Sequence, residues 1–235
     1  MGATIWEMSI GGEKKKGSNS LWWLGLLLKG DFSHLVEEGL DILLVLLQHL
    51  NWRRPQGIYQ ILDYDTVLEL TDPKGQRAVI QRNKRIRFLQ DYVVAFWDSA
   101  WGDGKLFAEY KCSPGVPVDR FREGSRFYTL ISLREVKSCG DILPFHIRRV
   151  VHDGFTQPQE TWETQIQHDT DYLRISIIFP MERPCRRAVL VQKNINRTRE
   201  LGAEHLRTLE NGRQILEWEV RHPRLHERYL IKWTW

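Results

Sequence analysis

Cysteine is scarce in this 235-residue chain, which holds only Cys112, Cys139 and Cys185. The count is odd, the spacings are long and no Cys-x-x-Cys occurs. That excludes a disulfide framework and a zinc ribbon, and it suits a reducing cytosol. Long apolar runs are lacking too. None approaches the about 20 residues needed to cross a bilayer as a helix. Leu21–Leu28 follows Lys14–Lys16 but passes into Lys29, Gly30 and Asp31 with no small-residue cleavage site, so it does not read as a secretory signal.

Reaction motifs are also missing. There is no Gly-x-Ser-x-Gly, Walker loop, Gly-x-Gly-x-x-Gly or His-Glu-x-x-His. Gly102-Asp103-Gly104 lacks the following helix that phosphate binding needs, and it reads as a turn between strands. No cofactor is expected, and no residue is assigned a catalytic or metal-binding role. His222 and His226 are spaced for one helix face beside Glu227, but Pro223 pushes His222 toward an extended conformation.

Charge of one sign is in short supply. The 34 Lys and Arg against 30 Asp and Glu leave a formal net charge of +4, with the signs interspersed. This permits a polyanionic partner without requiring one. What the chain does have is aromatic mass, ten Trp among them, in a composition that is 42% hydrophobic. Disordered chains lack that density, so the sequence is that of an ordered protein.

Three segments follow from patterning. Residues 1–20 are rich in Gly, Lys and Ser and read as an extension. Residues 21–54 read as an apolar helical arm in one or two helices. On a wheel at 100° per residue, His34, just before the apolar stretch Leu35–Leu50, and Glu37, Glu38, Asp41, Gln48 and His49 within it share an arc of about 120° with Val45 alone. The apolar arc is wider than a helix covered on one side by its own domain needs. The arm is therefore expected to meet a protein partner or a second copy, with a membrane surface as a further possibility. Trp22, Trp23, Leu43 and Leu47 are its contact candidates. Pro55 closes it.

From Gly57 the rhythm changes to period two. Tyr172–Phe179 places Leu173, Ile175 and Ile177 on one side, and Tyr229, Ile231 and Trp233 alternate in the same way. Asp72-Pro73-Lys74-Gly75 and Asn211-Gly212 are turn signals, the latter that of a hairpin. Glu200–Leu209 reads as the one short helix, and Pro114-Gly115-Val116-Pro117 as a loop. Ten or so short strands predict a mainly β body over 55–235, an antiparallel β-sandwich or partly open barrel.

Three groups of residues stand out as binding candidates. Trp101 sits in a turn with Asp98 and Asp103, as a ligand rim or as a plug at the sandwich end. Cys139 and Asp141 share another turn. Arg82, Lys84, Arg85 and Arg87 form a basic strand region that suits phosphate contact. The reading that follows is a non-catalytic recognition or accessory module, binding a protein or ligand through its end loops and attached by the arm. The location expected is cytoplasmic, or peripheral to a membrane. The alternatives are a nucleic-acid-binding β domain that uses the Arg82–Arg87 strand, and an enzyme with dispersed catalytic residues.

Overall fold

A computed structural model of the chain describes residues 57–235, within the compact unit Pro55–Trp235. The expected helical arm, with Trp22, Trp23, Leu43 and Leu47, lies outside the described residues. Strands β1 (Tyr59–Leu70) and β2 (Arg77–Phe88) form a long hairpin. Its turn is held by Asp72, whose carboxylate accepts the N–H groups of Lys74 at 2.9 Å, Gln76 at 3.2 Å and Arg77 at 2.7 Å. Gly75 turns there with φ +68°, and a Cβ at this position would lie 1.8 Å from the Phe155 carbonyl oxygen, so only glycine fits.

Strand β2 continues antiparallel to β7 (Ile142–His152), and β7 to β4 (Lys105–Ser113). On the other side β1 pairs in parallel with β9 (Tyr172–Phe179). The sheet then passes through β13 (Gln214–Arg221) to β12 (Leu206–Thr208), giving seven strands in the order β12-β13-β9-β1-β2-β7-β4. A four-stranded sheet runs β11 (Arg197–Leu201), β10 (Arg187–Gln192), β14 (Arg228–Thr234), β8 (Gln159–Gln165). A three-stranded sheet runs β3 (Val93–Ala100), β6 (Arg126–Lys137), β5 (Val116–Glu123).

The two smaller sheets cover one face of the large one, which makes the body a mainly β sandwich. Leu173, Ile175, Ile177 and Phe179 are fully buried on that face, as the period-two pattern predicts. The four-stranded sheet packs over β9 and β13, with Trp233 edge-on to Phe179 at 6.0 Å and Tyr229 against Trp218 at 5.0 Å. The three-stranded sheet packs over β7, Phe96 stacking on Phe145 at 4.5 Å. Aromatic side chains of this size bury about 150–250 Å² each and supply much of the hydrophobic stabilisation.

Two sequence expectations are corrected. Glu200–Leu209 is not a helix. Glu200 and Leu201 pair with β10, a 3-10 turn spans Ala203–His205, and Leu206–Thr208 pairs with β13. Gly202 is extended, and Leu201 is buried in the core, so tertiary pairing overrides the local helical pattern. Pro114–Pro117 is not wholly a loop, since β5 starts at Val116. Pro117 is tolerated because β5 is an edge strand. The Asn211-Gly212 hairpin forms as expected, between β12 and β13.

Candidate functional site

Strands β8 and β3 are each the free edge of a small sheet. Between these two edges the face of β2 and β7 is left uncovered, and a cleft results. It follows from an irregularity in the alternation. The core-facing register of β2 runs Ala78, Ile80, Arg82, Lys84, Ile86, Phe88, so two cations stand where apolar residues belong. In β7 the same register places Arg149 between Ile147 and Val151, and in β3 it places Asp98 between Phe96 and Ala100.

These groups meet. Arg82 Nη1 donates to Asp98 Oδ1 at 2.8 Å and to the Ser99 carbonyl at 2.8 Å. Tyr110 Oη donates to Asp98 Oδ2 at 3.2 Å. Lys84 Nζ lies 4.6 Å from the centre of the Tyr64 ring, a cation–π contact. Arg149 is 2% exposed, and its Nε and Nη1 have no hydrogen-bond partner among the described residues, nor does Arg82 Nε. Three cations thus share one buried acid.

The electrostatic consequences follow. Burial alone raises a carboxyl pKa, but Arg82, Arg149 and Lys84 outweigh it and hold Asp98 below its ordinary value. Burial, then the charge of Arg82, brings Arg149 down to about 10. A charge taken from water into a protein interior costs several kcal/mol, to about that order, unless it is paired. Arg149 carries such a cost with no direct ion pair among the described residues.

Arg149 and Arg82 face a cavity of about 490 Å³. Its floor includes Ile80, Leu106 and Val151, and its far wall Phe155 and Trp162. Five cationic and three acidic side chains line it, Asp98 lying behind Arg82. Glu163 is taken by Arg228, through hydrogen bonds of 2.9 and 2.8 Å, and by Lys193 at 3.1 Å. Lys232 and Arg149 have no ion pair among the described residues. Glu160 sits at the rim. Burial raises its pKa, against the Gln157 N–H that donates to it at 2.6 Å. A second hollow of about 30 Å³, lined by Tyr59, Tyr64 and His168, lies on the other side of Trp101.

Trp101 borders both hollows. It is half-buried, with the Arg126 guanidinium 4.3 Å from its ring centre. Arg126 Nη2 donates to Gln165 Oε1 at 2.7 Å and so ties the three-stranded sheet to β8. The Trp101 group of candidates is therefore brought together here, Asp98 at the bottom of the cleft and Asp103 on its wall.

The other candidates go elsewhere. Cys139 is exposed in the β6–β7 turn, where its N–H donates to Asp91 Oδ1 at 2.9 Å. Asp141 accepts the Ser138 N–H at 2.9 Å. The basic strand divides by parity. Arg82 and Lys84 face the cleft, whereas Arg85 and Arg87 face away, Arg85 donating to Asp63 at 2.7 Å. His222 and His226 both have positive φ around Pro223, and Glu227 is buried, accepting the N–H groups of Asn194 at 2.9 Å and Arg228 at 3.0 Å. Arg149, Trp162, Lys193, Arg228 and Lys232 were not singled out from sequence. The signal for Arg149 was there, as a charge in the buried register of β7.

No family model matches the chain, and neither does any curated protein. Among solved structures it is similar to an M1 zinc metallopeptidase from Deinococcus radiodurans. The identity is 8% and the TM-score 0.45, over 75% of this chain and 42% of that one. A protein from Parabacteroides distasonis is similar at 8% identity and a TM-score of 0.46, over 76% of this chain and 40% of that one. The chain spans less than half the length of either.

Proposed function

We propose that this chain is a non-catalytic recognition or accessory module whose β body holds its ligand in the cleft between β3 and β8. The observation that carries the reading is the cavity of about 490 Å³. Small-molecule sites occupy about 300–1,000 Å³ and combine apolar walls with a few fixed polar groups. Here Ile80, Leu106, Val151 and Trp162 supply the walls, and Arg149, Arg82 and Asp103 supply polar groups. Relative to a site made only of end loops, the binding surface moves inward, with Trp101 as its rim. The arm of residues 21–54 attaches the body to a protein partner or a second copy.

Ligand-observed NMR against a diverse small-molecule library tests the reading on two proteins, the wild type and Leu106→Trp, in which the larger side chain fills the cavity. Ligands are expected to bind the wild type and to lose binding in the filled variant. Binding that is unaffected by filling the cavity overturns the cleft. Turnover lost on Cys139→Ala or His226→Ala overturns the non-catalytic reading.

A further inference from the structure

Arg149 is the least explained group in the fold. Its guanidinium faces the cavity from the core register of β7, is nearly inaccessible to solvent, and leaves Nε and Nη1 without a partner among the described residues. The nearest acid, Asp98, is already engaged by Arg82 and Tyr110. Its ring contact does not compensate, because the Phe107 centroid is 5.7 Å away and Arg120 lies closer to the same ring, at 4.0 Å. An apolar side chain of similar volume would satisfy this position better as far as stability goes. The cation is therefore accounted for by something that enters the cavity.

Resting on the reading of the cleft as the recognition site, we propose that it binds a small molecule carrying an oxyanion, phosphate or carboxylate, which Arg149 anchors. A planar guanidinium takes an oxyanion through charge-assisted hydrogen bonds that an ammonium cannot match in geometry. Arg82, held by Asp98, adds a second positive charge beside it. Behind the anion, Trp162, Phe155 and Leu106 accept an apolar or aromatic body. Trp162 Nε1, also buried without a partner among the described residues, supplies a further donor. The acids at the mouth, Asp103 and Glu160, disfavour a second negative charge on the far end of the ligand.

Isothermal titration of the full chain with four probes, at matched ionic strength, tests this. The probes are inorganic phosphate, phenyl phosphate, phenylacetate and neutral benzyl alcohol. At least one aromatic anion is expected to bind. Arg149→Met should weaken it by about tenfold or more, and Arg149→Lys should retain part of the affinity. The stronger of the two aromatic anions identifies phosphate or carboxylate as the group recognised. Equal binding of benzyl alcohol, or anion binding unchanged in Arg149→Met, overturns the anion anchor while leaving the cleft as a recognition site. Should no probe bind, the anchor falls, and the cavity-filling comparison decides separately whether the cleft does. A second measurement covers a variant that does not fold. At matched ionic strength the aromatic anion that binds should raise the melting temperature of the wild type above that with benzyl alcohol, and no such rise by either anion counts against the anchor.

Discussion

Arg82 and Asp98 join two sheets at the bottom of the cleft, with Nη1 and Oδ1 2.8 Å apart and both side chains less than one tenth exposed. The pair has two dependants. Arg149 and Lys84 each draw part of their compensation from the same carboxylate, so Asp98 carries more than one bond's worth of consequence.

Asp98→Asn should therefore cost about 3–5 kcal/mol, since it strands buried cations instead of removing a pair. Denaturant unfolding measures it. Replacing both partners, Arg82→Met with Asp98→Leu, should recover most of the loss. A single variant as stable as the wild type would show that the cluster is solvated in a way that its burial denies.

His168 sets a pH dependence. Its ring lies tilted against Tyr59 with centroids 4.1 Å apart, and burial, then the charge of Lys84, brings its pKa down from 6.5 to about 4. The folded state holds the ring neutral where the unfolded state takes a proton. Stability is thus full above pH 6.5 and falls as pH drops from 6.5 toward 4. Melting curves across that window should slope in the wild type and flatten in His168→Phe, which keeps an aromatic ring against Tyr59. An unchanged slope in that variant would move the effect to another group.

Gly75 and Gly124 offer a paired test of backbone strain. Both have positive φ, +68° and +58°, but a Cβ at Gly75 meets the Phe155 carbonyl whereas one at Gly124 meets nothing within 4 Å. Gly124→Ala should cost about 1 kcal/mol, and Gly75→Ala clearly more, because backbone must move. Equal losses by thermal unfolding would mean that the β1–β2 turn can shift away from Phe155.

The three thiols should separate by reactivity. Cys139 is exposed, whereas burial pushes Cys185 up to about 11 and raises Cys112. At pH 8 an aromatic disulfide reagent should titrate one thiol fast in the native protein, and Cys139→Ser should abolish that phase. The other two should react only on unfolding. Fast labelling in Cys139→Ser would place another thiol at the surface.

The strands of the body were legible because Leu173, Ile175, Ile177 and Phe179, like Tyr229, Ile231 and Trp233, keep strict alternation. The turns at Asp72 and Asn211 were legible because their side chains and following glycines have local reasons to be there. Strand β5 was hidden, since an edge strand with Pro117 and alternating charge lacks an apolar signal. Strand β11 was hidden because its pairing with β10 is a tertiary fact that the helical look of Glu200–Leu209 obscures. The cleft was half visible. Trp101, Asp98, Arg82 and Lys84 were singled out for separate reasons, as a turn aromatic and a basic strand. Their convergence depends on sheet order, which local pattern does not contain. Arg149 was readable in principle, by asking which charged residues occupy buried positions of otherwise apolar strands.

The parallel pairing of β1 with β9 has a bearing on how the chain is made. Tyr64 to Glu69 hydrogen-bond to Leu173 to Ile178, about a hundred residues later. On a ribosome, β1, β2, β4 and β7 emerge first and can assemble among themselves, yet the open side of β1 then waits for its neighbour. Such an unpaired, apolar edge is where nascent chains stick to one another. Synthesis of this protein thus passes through an interval of exposure that ends only when β9 leaves the tunnel, and chaperone demand should concentrate there.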